Sequence, residues 1–295
     1  MFYRELRIIS FASSTDPRRR RTAAVIAAFP LAVLVTIASL GGILIPSLYV
    51  RESASWAAQA VGQDWMDLLL AVPWLAVTGV LALRGSSRGL SLLAGGLLYT
   101  VYTFVIYALG MHFNAMFLVY CAALGVSFFA LCGLALSLFE DDSTTWHAAK
   151  VPTRTAGYFL VGMGVLFGVV WLREIVPAIF WNTVPDTIAE AGTPTNPVYV
   201  IDLSVILPLH VATGIALLRG RPLGLLLAPV VLAFGVLMAL SIAGMMLVMH
   251  MRGADANLGI AAGMTFVALM SGLVLSLLLR RTRRYARSGR LEKST

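Results

Sequence analysis

Residues 67–85 read DLLLAVPWLAVTGVLALRG, and residues 202–220 read DLSVILPLHVATGIALLRG. Each opens on an aspartate, carries a proline six residues later and a Thr-Gly pair beyond it, and closes on Leu-Arg-Gly. Neither holds an Asp, Glu, Lys or Arg between its first and its penultimate residue. An α-helix rises about 1.5 Å per residue and a bilayer core takes about 20 apolar residues to cross, so each stretch is most of a membrane span.

The rest of the chain agrees. Of its 295 residues 59% are hydrophobic and 12% charged, with a mean hydropathy of +0.86, against about 25% charged in soluble domains. So little charge cannot cover a water-soluble surface, which excludes a soluble enzyme, a disordered chain and a disulfide scaffold. Eight apolar stretches follow: Ala23–Val50, Trp65–Leu83, Gly89–Met111, Phe113–Phe139, Thr155–Leu172, Val198–Leu218, Pro222–Met249 and Ala256–Leu279. They are too long for barrel strands and do not alternate, so they read as helices.

The +8 net charge resembles a nucleic-acid signature until its distribution is read. With eight spans, both termini and the even-numbered loops share one side. That side holds 19 of the 22 basic residues, including Arg4, Arg7, Arg18–Arg21, Lys150 and the tail from Arg280 to Lys293. Only Arg51, Arg173 and Arg252 fall on the other. The positive-inside rule then predicts cytoplasmic termini in a plasma-membrane protein, its arginines touching anionic headgroups rather than nucleic acid. An uncleaved first helix is expected, because the apolar run at Ala23 far exceeds a signal peptide's core. Trp65, Trp171 and Trp181 fall near the outer boundary and Trp146 near the inner one, where an aromatic belt is expected.

The two opening stretches also match one another. A shift of 135 residues gives 11 identities in the 26 positions from 67 to 92, without a gap. Shared apolar composition yields coincident leucines, but not coincident Asp, Pro, Thr-Gly and Arg-Gly. Met111-His112 echoes Met249-His250, and Pro46 weakly echoes Pro177. Because the matched helices are the second and sixth, the two copies share one orientation. The predicted fold is an all-α integral membrane protein, with eight transmembrane helices as two parallel four-helix repeats. Residues 23–139 form the first repeat and 155–279 the second; 1–22, 140–154 and 280–295 form cytoplasmic segments. Parallel repeats occur in transporters, with substrate at the repeat interface; duplication of a stable four-helix unit is the plainer account.

The candidate site residues are the polar groups in or beside the spans. Asp67 and Asp202 sit at equivalent positions, read as the first outer turn of their helices. There a carboxylate caps free N–H groups, or forms an acidic ring that draws cations. His210 lies about 12 Å deeper than Asp202 and within about 80° of it around the helix, so both can face one cavity. The alternative is a neutral histidine bonded to a neighbouring helix. Pro208 and Pro73 each free a backbone carbonyl that Thr213 and Thr78 are placed to satisfy. Glu174, beside Arg173, interrupts the fifth span, either as an interfacial pair or as a second-half specialisation joined to His210. His112 and His250 end the third and seventh spans. With two aspartates they suggest a 2-His-2-carboxylate metal site, but no HxxxH or HExxH spacing supports one, and His210 and His250 are mismatched in depth for a haem.

Cys121 and Cys132 stand about 16 Å apart along one helix and cannot pair; they read as small buried side chains. Gly164–Gly168 and Gly259–Gly263 read as close helix contacts. Tyr99, Tyr102, Phe104 and Tyr107 form a stripe suited to packing or to a cavity wall. No P-loop, dinucleotide fingerprint, nucleophile elbow or EF-hand loop is present, so no cofactor is implied. The expected function is binding or transport of a small polar or cationic solute entering past Asp67 and Asp202, with the bilayer as the one certain partner. The alternatives are a membrane-embedded enzyme acting on a lipidic substrate through His210 or Glu174, and a non-catalytic scaffold.

Overall fold

The computed structural model describes residues 17–140 and 153–292, with side chains placed for 18–138 and 153–280. Arg4, Arg7, Trp146, Lys150 and Lys293 lie outside the described residues. Among the described residues every regular element is helical, and eight helices are long and apolar enough to cross a membrane. They are α1 (Arg18–Leu44), α2 (Ala54–Leu83), α3 (Ser87–Gly110), α4 (Phe117–Leu138), α5 (Thr153–Trp181), α6 (Pro197–Leu218), α7 (Pro222–Met251) and α8 (Leu258–Arg280). A short helix, Asp186–Ala191, lies between α5 and α6 and is called the cap helix below. It marks the cap end of the bundle; the opposite end, with the tight α2–α3 and α6–α7 connections, is the turn end.

Two spans are longer than hydropathy suggests. α2 starts at Ala54, where the Ser53 hydroxyl accepts the Trp56 amide at 3.2 Å, rather than at Trp65. Gln59, Gln63 and Asp64 lower the local hydropathy, yet they bond within the protein and not with water. Asp67 therefore stands 13 residues inside α2, about 20 Å from its start, and is no first-turn cap. Likewise α5 continues through Arg173, Glu174 and Pro177 to Trp181.

Both prolines of the opening stretches follow a π-helical turn, Asp67–Ala71 before Pro73 and Asp202–Ile206 before Pro208. Proline lacks an amide proton and its ring collides with the carbonyl four residues back. Widening the preceding turn relieves that collision, and the wider bonds run from Val72 N to Asp67 O and from Leu207 N to Asp202 O. The threonines play no part in it. Thr78 donates to Trp74 O at 2.6 Å, and the buried Thr213 hydroxyl has no hydrogen-bond partner.

The Leu-Arg-Gly ends also have a physical cause. Gly85 (φ 79°) and Gly220 (φ 66°) take the left-handed conformation just past α2 and α6, where a Cβ costs about 1–2 kcal/mol. Ser86 N then reaches Leu81 O at 3.1 Å and Arg221 N reaches Ala216 O at 2.9 Å, closing both helices with the same carbonyl-capping motif. Gly220→Ala is expected to lower stability by about 1 kcal/mol through that strain alone, read as a lower melting temperature in detergent.

α1 to α4 pack in a closed ring around Ala28, Leu31, Leu75, Leu97, Ala123 and Leu134. α5 to α8 pack around Ala156, Leu160, Leu217, Val231, Leu275 and Leu278. α3 and α7 join the two groups, meeting so closely that a Cβ on Gly95 would lie 2.5 Å from Ala233 Cβ and 2.8 Å from Val230 O. Lipid is as apolar as leucine, so close packing and buried polar bonds hold such helices together, not apolar burial.

Candidate functional site

Helix α3 presents three buried tyrosines to three carboxylates. The Tyr99 hydroxyl lies 2.7 Å from Asp67 Oδ1 and the Tyr107 hydroxyl 2.9 Å from Asp64 Oδ1, while Tyr102 stands beside Asp202. The stripe is thus a set of polar partners as well as packing, and Tyr102 and Tyr107 also form cavity wall.

Around Asp67 two donors share one carboxylate oxygen, Oδ1. Gln63 donates to Asp67 Oδ1 at 3.0 Å and to the Tyr99 hydroxyl at 2.6 Å. The Ser241 hydroxyl of α7 stands 2.8 Å from the Tyr99 hydroxyl and 3.1 Å from Gln63 Oε1. Asp67 is 2% exposed, which overturns its expected place in an acidic ring at the mouth. Asp64 is held on both oxygens, for Tyr49 donates to its Oδ2 at 2.7 Å. Burial, reinforced by that carboxylate, keeps the Tyr49 phenol above its ordinary range and so fixes it as the donor.

Asp202 has another fate. A cavity of about 460 Å³ lies within the α5–α8 group and reaches α2 and α3, a size ordinary for small-molecule sites. Asp202 and His210 both line it, on one side of α6. Trp171 Nε1 donates to Asp202 Oδ2 at 2.8 Å. Trp171 therefore faces inward as a carboxylate partner rather than serving in an aromatic belt. A single indole donor leaves the carboxylate with acceptor capacity toward the cavity. His210 Nδ1 lies 2.8 Å from Ile206 O. A carbonyl only accepts, so Nδ1 carries the proton and Nε2 of the neutral ring is an acceptor.

Much of the remaining lining is apolar and soft, with Met163, Met238, Met245, Met246 and Met264 beside Phe159, Phe167 and Phe234. Neutral polar side chains such as Gln59, Gln63, Thr103, Asn196 and Ser271 complete it. Among the described residues Asp202 and Glu190 are its carboxylates, and no lysine or arginine lines it.

The other candidates lie outside this cavity. Glu174 Oε1 accepts the Thr187 hydroxyl at 2.7 Å and the Thr187 amide at 3.2 Å, and Oε2 accepts the Tyr199 hydroxyl at 2.5 Å. It pins the cap helix to α5 and α6 and stands behind the wall, touching two lining residues without being one. Arg173 is exposed. His112 is held by Glu52, whose carboxylate lies 3.0 Å from Nδ1 and accepts the His112 amide at 2.7 Å. His250 is exposed at the end of α7. Among the described residues no three His, Cys, Asp or Glu side chains come together as metal ligands. Cys121 is exposed rather than buried. A Cβ at Gly164 would lie 2.7 Å from Val211 Cγ2, marking a close helix approach, whereas one at Gly263 would meet nothing within 4 Å.

Sequence reasoning missed Trp171, Tyr102, Gln63 and Asp64. Trp171 was visible as an aromatic but reads as a boundary residue, and the polar run Gln59–Asp64 was the one signal that α2 extends further. No known family model matches the chain, and no curated protein or solved structure is detectably similar to it.

Proposed function

We propose that this polytopic membrane protein binds, inside the membrane, a small amphipathic solute with an apolar body and one cationic or strongly donating group, as a carrier or binding protein. One observation carries the reading: a cavity rich in methionine and aromatic side chains presents the Asp202 carboxylate and the His210 ring, and among the described residues no lysine or arginine lines it to neutralise the charge. An unpaired carboxylate in apolar surroundings is costly, and a bound cation removes that cost. Aromatic faces add cation–π attraction. The lining argues for an amphipathic solute over the small polar one that spacing alone suggests.

We also propose that residues 23–139 and 155–279 are two parallel copies of one unit, with the cap end outside and the termini in the cytoplasm of the plasma membrane. The twin π turns and twin glycine caps, each pair 135 residues apart, support the first point. The arginine distribution supports the second. On this reading the second copy keeps Asp202 for ligand while the first ties Asp67 to Tyr99.

Three probes test the class of ligand: 9-anthracenylmethylamine, its neutral analogue 9-methylanthracene, and tetramethylammonium. Fluorescence titration of the purified protein, with competition for the non-fluorescent ion, is expected to rank the amine at least tenfold above the hydrocarbon and to show negligible competition by tetramethylammonium. Equal affinity for the amine and the hydrocarbon would remove the carboxylate from the reading. Tight binding of the small ion would restore the polar-solute alternative.

A further inference from the structure

Access to the cavity differs between its end and its side. At the cap end, Glu174 fastens the cap helix through Thr187 and Tyr199. The residue that ends the cap helix, Ala191, is buried, and a Cβ on the following Gly192 would lie 3.9 Å from Ser53 Cβ at the start of α2. The cap helix is therefore seated on α2 and held from α5.

The side has no such closure. α5 and α8 pack together near the turn end, where Ala156 and Leu160 share a core with Val274, Leu275 and Leu278. Beyond it they separate. Met163, Phe167 and Trp171 from α5 and Met264, Val267 and Ser271 from α8 line opposite flanks of the cavity. These spacings, four residues on α5 and three or four on α8, place each set on one helix face. Ile260, near the cap-end start of α8, lines the cavity and is still 47% exposed, so the cavity reaches the surface beside the start of α8. Around the first group the corresponding seam is shut, with Ala24, Val25, Ala28 and Leu31 of α1 packed in one core with Ala123, Ala130 and Leu134 of α4. The residues flanking the α5–α8 gap are apolar, and they lie in spans that face lipid.

We infer that the cavity is entered sideways from the bilayer through the wedge between α5 and α8, and that its solute is a lipid-dissolved amine rather than one taken from water. This rests on the amphipathic-cation reading of the cavity above. A cation with an apolar body partitions into the membrane with its charge near the headgroups. It would then slide body first between α5 and α8, and its charged group would meet Asp202, which stands on α6 toward the cap end.

Two cross-links separate the routes, both made in a Cys121→Ala, Cys132→Ala background reconstituted in phosphatidylcholine vesicles. Ser53→Cys with Gly192→Cys locks the cap helix, since 3.9 Å between Cβ atoms is within disulfide range. Phe167→Cys with Met264→Cys, joined by a bismaleimide, bars the wedge. The association rate of 9-anthracenylmethylamine is then followed by fluorescence. Locking the cap is expected to change the rate less than twofold between the oxidised and reduced forms of one preparation. Barring the wedge is expected to slow it at least tenfold relative to the same variant before bismaleimide treatment. A tenfold slowing by the cap disulfide, restored by reductant, overturns lateral entry, as does an unchanged rate behind the barred wedge. If the parent protein binds no amine, or binds it as well after Asp202→Asn, the cavity reading itself fails and lateral entry falls with it; otherwise only the route is at stake.

Discussion

Asp202→Asn will weaken binding of 9-anthracenylmethylamine by at least tenfold and leave 9-methylanthracene within twofold of its wild-type affinity. Asparagine keeps the size of the side chain and an oxygen to accept the Trp171 indole N–H, so the cavity wall retains its shape. What it removes is the charge. A hydrogen bond to a charged group contributes about 1.5–3 kcal/mol, and each 1.4 kcal/mol is about tenfold in affinity. The expected loss for the amine is therefore about ten- to a hundredfold, while the neutral probe never used the charge. Asp67→Asn is the matched control, because Asp67 and its partner Tyr99 lie outside the lining, which Asp67 reaches only through Gln63. Its amine affinity should stay within twofold. Titrating the three proteins side by side decides the matter: an unaffected Asp202→Asn would strip the carboxylate of its role as counter-ion.

Gly42→Ala will be the most destabilising single-methyl change in the first helix group. A Cβ at Gly42 would fall inside the Asp64 carboxylate, 2.5 Å from the Tyr49 hydroxyl and 2.7 Å from Asp64 Cγ. The carboxylate has nowhere to go. It is 1% exposed and held on both oxygens, by Tyr49 and by Tyr107. Admitting the methyl breaks at least one of those bonds and leaves a buried polar group unpaired, at about 1–3 kcal/mol. Overpacking adds about 1–3 kcal/mol more. A total of about 3 kcal/mol should lower the melting temperature in detergent by several degrees. Gly125→Ala, whose Cβ would meet nothing within 4 Å, should be neutral or slightly stabilising, as alanine favours helix over glycine by about 1 kcal/mol. The cause can be checked by coupling: in an Asp64→Ala background the obstruction is gone, so Gly42→Ala should cost markedly less there. Equal costs in both backgrounds would mean that the carboxylate is not what the methyl strikes.

The eight helices were legible because spanning a bilayer leaves a long charge-free record in the chain. The twin prolines and the Leu-Arg-Gly endings were legible too, since each fixes its own backbone within a turn. The start of α2 was not, because hydropathy counts Gln63 and Asp64 as polar without knowing that Tyr99 and Tyr49 await them on other segments. The contrast between Asp67 and Asp202 was hidden for the same reason. The two share a local sequence and a π turn. What separates them is supplied from elsewhere: Tyr99, itself bonded to Ser241, ties down one oxygen of Asp67, while Trp171 and the cavity flank Asp202. Spacing along one helix set Asp202 and His210 on one side of α6, but the proposed solute class rests on the methionines and aromatics of α5, α7 and α8.

The polar cluster around Gln63 also sets a schedule for biogenesis. Asp64 finds Tyr49 and Tyr107 within the first four helices to leave the ribosome, so its bonding can be complete early. Three residues on, the cluster of Gln63, Asp67 and Tyr99 waits for Ser241, which lies 178 residues after Gln63. Until α7 is inserted, the Gln63 carbonyl oxygen lacks its serine donor within hydrocarbon. Asp67 itself is bonded within the first three helices, by Gln63 and Tyr99, and what matures late is the Gln63 amide. The nascent first half carries an unfilled acceptor that the arriving seventh helix relieves, an ordering signal for assembly written in a single hydroxyl.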